Sequence, residues 1–85
     1  MGYKVVVFST AERSLRDLPD KTRSRIGDAL VSLADYPSPS AKIEKLKKPQ
    51  RGYRRRVGDY RILLDIGDDI IFVHDIRNRK DAYRQ

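Results

Sequence analysis

The sequence predicts an α+β domain in which a two-helix hairpin packs on one face of a mostly antiparallel four-stranded sheet, in the order β-α-α-β-β-β. Three observations predict it. Short runs rich in β-branched and aromatic residues stand at both ends of the chain. Two segments with apolar residues at helical spacing lie between them. The last three runs are separated by short Gly-Asp turns, too short for anything but hairpins.

The elements follow in order. Tyr3 to Phe8, YKVVVF, reads as a first strand. Ser9 and Glu12 have the spacing of a capping box, and Ala11, Leu15 and Leu18 then recur on one helical face until Pro19. Asp20 is placed to cap a second helix, whose stripe is Ile26, Ala29, Leu30 and Leu33. Gly27 inside it costs up to about 1 kcal/mol relative to alanine, and close packing against the first helix is the expected reason. Tyr36 to Ser40, with two prolines, is a loop. Lys42 to Lys48 is basic and anchored by Ile43 and Leu46, and Pro49-Gln50 breaks it. Tyr53–Val57, Tyr60–Ile66 and Ile70–Ile76 complete a meander, joined by Gly58-Asp59 and Gly67-Asp68-Asp69. No repeat or linker divides the chain, so residues 1–85 are expected to form one domain.

Composition narrows the function classes. The 19 lysines and arginines against 12 aspartates and glutamates leave a net charge of +7, which favours phosphate backbones or an acidic protein as partner. There is no cysteine and a single histidine, His74, so thiolate metal sites and disulfides are excluded, and neither a metal nor a cofactor is expected. Serine-histidine nucleophilic chemistry is poorly supported, because His74 stands beside Asp75 in a strand with no serine nearby. His74 reads as a packed or half-exposed strand residue. Neither a signal peptide nor a membrane-length apolar run is visible, and a cytoplasmic protein is the expectation.

The basic stretch Arg51 to Arg61, RGYRRRVGDYR, and the later RNRKDAY from Arg77 carry the chemistry. Strand alternation puts Arg54 and Arg56 on one face, with Tyr53, Arg55 and Val57 on the other. A cationic row repels itself unless something anionic visits it. Arginine offers bidentate donors to phosphate and keeps its charge, so it stabilises an anion but cannot serve as a base. Arg54, Arg56, Arg61, Arg77, Arg79 and Lys80 are the basic residues able to converge on one concave surface, and Tyr83 is the candidate stacking aromatic beside them. Lys45, Lys47, Lys48, Arg51, Arg77 and Lys80 are the candidate RNA contacts; the alternative for all of them is a solvated basic face. Tyr53 and Tyr60 read as cross-strand packing residues. RNA supplies its own nucleophile, the 2′-hydroxyl, and in-line attack builds negative charge that fixed arginines stabilise without a metal.

The chain from KLKKPQRGYRRRVGDYR to IRNRKDAY resembles the RelE/ParE toxin superfamily, and the helical hairpin before it fits as well. The matching pattern is Lys45-Leu46, then Tyr53-Arg54-Arg55-Arg56-Val57, then Gly58-Asp59-Tyr60-Arg61, then Asn78-Arg79-Lys80-Asp81-Ala82-Tyr83. The resemblance implies a RelE-like fold and a toxin of a two-gene toxin–antitoxin module. In the RelE branch that toxin is a ribosome-dependent mRNA endonuclease without a metal or cofactor. It places phosphate stabilisation on Arg54, Arg56, Arg61 and Arg79, and orientation of the 2′-hydroxyl or base stacking on Tyr83. Arg54 and Arg56 stand where RelE proteins often carry lysine, and Asn78 where many relatives carry histidine. Expected partners are an acidic antitoxin that wraps the toxin, a ribosome with mRNA in its A site, and operator DNA only through the antitoxin complex. The alternatives are a ParE-like DNA gyrase inhibitor of the same fold without nuclease activity, and a nucleic-acid-binding module with no activity.

Overall fold

The computed structural model describes residues 2–48 and 51–79. In chain order it contains β1 (Lys4–Val7), α1 (Ser9–Arg16), α2 (Asp20–Ser32), β2 (Glu44–Lys45), β3 (Tyr53–Val57), β4 (Tyr60–Ile66) and β5 (Ile70–Asn78). Two 3₁₀ turns, Leu33–Asp35 and Pro39–Ala41, lead from α2 to β2. The strands form one sheet in the order β1-β5-β4-β3-β2. The expected four-strand sheet is thus corrected to five, because the basic segment after the proline loop pairs Glu44 with Arg54 and Lys45 with Tyr53. Two residues are too few to show a strand period in sequence.

β1 joins the sheet in parallel with β5, from Lys4 opposite Ile70 to Val7 opposite Val73, whereas the other neighbours are antiparallel. The unbroken apolar run Ile70–Val73 suits a strand flanked on both edges. Where β1 stops, α1 takes over: the Phe8 amide donates to the Val73 carbonyl at 2.9 Å, and the Ser14 hydroxyl donates to the Asp75 carboxylate at 3.0 Å.

The core lies between the helices and one sheet face. Ala11, Ile26, Ala29, Leu30 and Leu33 from the helical side meet Ile62, Leu64, Ile71, Val73 and Ile76 from the sheet. The buried positions of β5 are 71, 73 and 76, a spacing that strict alternation cannot give. A bulge reconciles them: Leu63 pairs with Asp75 but Leu64 pairs with Val73, leaving His74 as the extra residue. His74 and Asp75 both leave the core face, and Arg77 falls directly opposite Arg61.

The helix starts differ from expectation. α1 begins at Ser9 with Phe8 as its cap, and α2 at Asp20 with Pro19 as its cap; neither cap makes a side-chain hydrogen bond. Asp20 instead pairs with Arg23 one turn on. Gly27 also departs from its expected reason, because a Cβ there would meet nothing within 4 Å. Gly27→Ala should therefore stabilise the protein by about 0.5–1 kcal/mol through helix propensity alone. A rise in the urea midpoint with an unchanged slope is the expected measurement.

Candidate functional site

The helices cover one face of the sheet and leave the other open. Alternation sends Tyr53, Arg55 and Val57 of β3 to the helix face, where Tyr53, Val57 and Tyr60 pack against the core. Their reading as packing residues holds. Arg55 donates from Nη1 to the Ser32 hydroxyl at 2.6 Å and to the Ala41 carbonyl at 3.0 Å. Burial lowers its pKa below the ordinary arginine value, because desolvation disfavours the cation.

The open face carries the cationic row. Arg56 stands opposite Arg61 in the β3–β4 ladder, and Arg61 stands opposite Arg77 in the β4–β5 ladder. Three guanidinium-bearing residues therefore occupy successive strands at one level, with cross-strand Cα separations of about 4.5–5.5 Å. Arg54 follows on the same face, two residues from Arg56, opposite Leu63. At the end of the row, Arg56, Arg61 and Arg79 line a polar pocket of about 120 Å³ with Gly58, Asp59 and Tyr60. The turn that shapes it needs Gly58, whose φ of +57° is a left-handed conformation that costs other residues roughly 1–2 kcal/mol. Arg79 is tied to this turn by its backbone, the amide donating to the Asp59 carbonyl at 2.6 Å.

Two acids restrain the row. Asp75 accepts from Arg77 Nε at 3.0 Å, from Ser14 and from the Ile76 amide. Glu44 lies 3.3 Å from Arg56 Nε and 3.7 Å from Arg54 Nε, so one carboxylate serves two arginines. No sequence pattern marks Glu44, because its place opposite Arg54 depends on the pairing of β2. Glu44→Gln should tighten single-stranded RNA binding about two- to fivefold at low salt, a gain that fades as salt is raised. Stability should change by less than about 1 kcal/mol, since this ion pair is largely exposed. Fluorescence titration across a salt series measures the first effect and urea unfolding the second.

The other candidates are more dispersed. Lys45 pairs with Tyr53 and so sits in the register of the opposite sheet face from Arg54. Lys47, Lys48 and Arg51 lie in the β2–β3 connection, at the far end of β3 from the Gly58 turn. That places them roughly 13 Å or more along the strand from the pocket. Lys80 and Tyr83 lie outside the described residues. His74 is a half-exposed strand residue, as expected; its Nε2 is 2.6 Å from Asp65 Oδ2, and its ring meets Phe8 edge-on at 5.2 Å.

A helical hairpin over a five-stranded sheet whose open face bears an arginine row is the architecture expected of a RelE/ParE-superfamily toxin, and the comparisons with known proteins agree. Residues 5–83 match the family model described as the ParE toxin of type II toxin–antitoxin systems, parDE, and the chain belongs to that family. A curated relative, "Putative toxin RelE1" of Methanocaldococcus jannaschii, is 28% identical over 88 residues, covering 99% of this chain and 98% of the relative. The toxin–antitoxin complex RelBE2 of Mycobacterium tuberculosis contains a chain that superposes with a TM-score of 0.80 at 24% identity, over 93% of this chain and all of that one. The RelB–RelE antitoxin–toxin complex of Methanococcus jannaschii gives 0.73 at 28% identity, over 92% of this chain and 94% of that one. Among the described residues, no helix is long and apolar enough to cross a membrane.

Proposed function

We propose that this toxin is a ribosome-dependent, metal-independent endoribonuclease that cleaves mRNA by attack of a 2′-hydroxyl on the adjacent phosphate. The observation that carries the reading is the pocket walled by Arg56, Arg61 and Arg79, with Arg77 in register beside it. In the reaction the 2′-oxygen loses its proton to an acceptor and bonds to phosphorus while the bond to the 5′-oxygen breaks and that oxygen takes up a proton, leaving a 2′,3′-cyclic phosphate and a 5′-hydroxyl. Charge grows on the non-bridging oxygens as the phosphorane forms, and the arginines donate to those oxygens from fixed positions. They hold the phosphate but take no proton. Among the described lining residues, only Asp59 and Tyr60 offer a group able to accept one. Tyr83 retains the role implied by resemblance, orienting the 2′-hydroxyl or stacking on a base. With so modest an acid–base inventory, the ribosome is assigned the task of bending the mRNA into line.

The match to the ParE family model favours a second reading, a DNA gyrase inhibitor of the same fold that cleaves nothing. Primer extension on programmed ribosomes separates the two. Cleavage within the A-site codon supports the nuclease, whereas intact mRNA together with loss of supercoiling by purified gyrase supports the inhibitor. In either case the partner is an acidic antitoxin whose association is fast and weakened by salt, and operator DNA is bound only through that complex.

A further inference from the structure

On the other side of the Gly58 turn lies a second basic hollow. A groove of about 530 Å³ runs between α2 and β3, and its cationic walls are Arg25, Lys42, Arg55 and Arg56, with Asp28 as its acid. Arg25 leans on the turn, its guanidinium about 3.5 Å from where a Cβ on Gly58 would stand. Arg55 is fixed by Ser32 and Ala41, and its buried Nε has no hydrogen-bond partner among the described residues. Lys42 is held at a left-handed φ of 52°, so the backbone accepts strain where this cation joins the groove. Arg56 and Gly58 line both hollows, so the two adjoin where β3 enters the turn.

We propose that this groove binds a second phosphate of the same RNA strand, flanking the phosphate held by Arg56, Arg61 and Arg79. The inference rests on the ribonuclease reading of the first pocket. Adjacent strand residues project to opposite faces, so Arg55 and Arg56 grip from the two sides of one strand, as a chain of evenly spaced charges crossing the turn requires. An acidic helical peptide is the poorer occupant. Such a partner needs apolar anchors, and among the described residues Ala29 and Val57 are the only apolar side chains in the groove wall.

The test titrates fluorescent 2′-O-methyl oligonucleotides, which lack the attacking hydroxyl, into the full-length toxin over a salt series. A trinucleotide and an oligonucleotide about three times as long are compared. The wild type should bind the longer one more tightly and with a steeper salt slope. In Arg25→Gln/Lys42→Gln the longer oligonucleotide should lose about fivefold to tenfold in affinity, and the slope should fall by about 0.7, the value for one single-strand phosphate. Trinucleotide binding should stay unchanged. Lys42→Gly removes a charge where glycine is conformationally at ease, and a partial loss there excludes misfolding as the cause. Equal binding of the longer oligonucleotide by wild type and double variant overturns the groove. So does a loss confined to polyglutamate, which would mark a peptide site. Failure of the trinucleotide to bind wild type more tightly than Arg61→Ala overturns the first pocket instead, and the groove with it.

Discussion

Arg61→Ala is expected to slow cleavage of ribosome-bound mRNA by about 10²- to 10³-fold, the loss that follows removal of one fixed donor to a developing oxyanion. The protein should remain folded. Arg61 stands between Arg56 and Arg77 on the open face, directly across the strand from each. Like charges in that arrangement repel by a few tenths of a kcal/mol to about 1 kcal/mol, which offsets the loss of Arg61's own interactions, so removing the central one should change stability by no more than about 1 kcal/mol in either direction. Single-turnover primer extension and thermal unfolding measure the two quantities on one preparation. An inactive variant that had also lost stability would make Arg61 a structural residue and remove the reason for assigning it to phosphate.

The next residue should behave in the opposite way. Ile62→Ala is expected to cost about 2–5 kcal/mol, the range for emptying a fully buried branched side chain. Ile62 is 0% exposed, pairs with Arg55 on one side and Ile76 on the other, and faces the helices. A chain of 85 residues without cysteine has a total stability of only about 5–10 kcal/mol, so the loss is a large part of it. Urea unfolding should show a strongly lowered midpoint, with toxicity falling because less folded protein is present. A melting temperature within a degree or two of wild type would contradict the burial assigned to this strand. Neighbours 61 and 62 thus divide function from stability because a strand sends successive side chains to opposite faces.

Much of this was legible in the chain itself. Periodicity located both helices, and the turn glycines located the meander, with Tyr53–Val57 and Tyr60–Ile66 matching to the residue. The same alternation assigned Arg54 and Arg56 to the face opposite Tyr53, Arg55 and Val57. These are local properties: each depends on which residues neighbour one another in sequence, and backbone geometry converts that order into direction. The resemblance supplied the superfamily for the same reason, since its motifs are short and contiguous.

Only the tertiary structure decided the rest. The parallel pairing of β1 with β5 joins segments at opposite ends of the chain, and the two-residue strand that carries Glu44 to Arg54 and Arg56 and the bulge at His74 are register features of consecutive strands with no periodic signature. No local pattern encodes such pairings, because they are chosen by what buries best once the sheet assembles. The bulge is the most consequential. By setting the register of β5 it brings Arg77 opposite Arg61 and leads Arg79 to the Gly58 turn, turning arginines scattered over 24 positions of sequence into one pocket wall. Sequence determined which charges this toxin has; register determined that they meet.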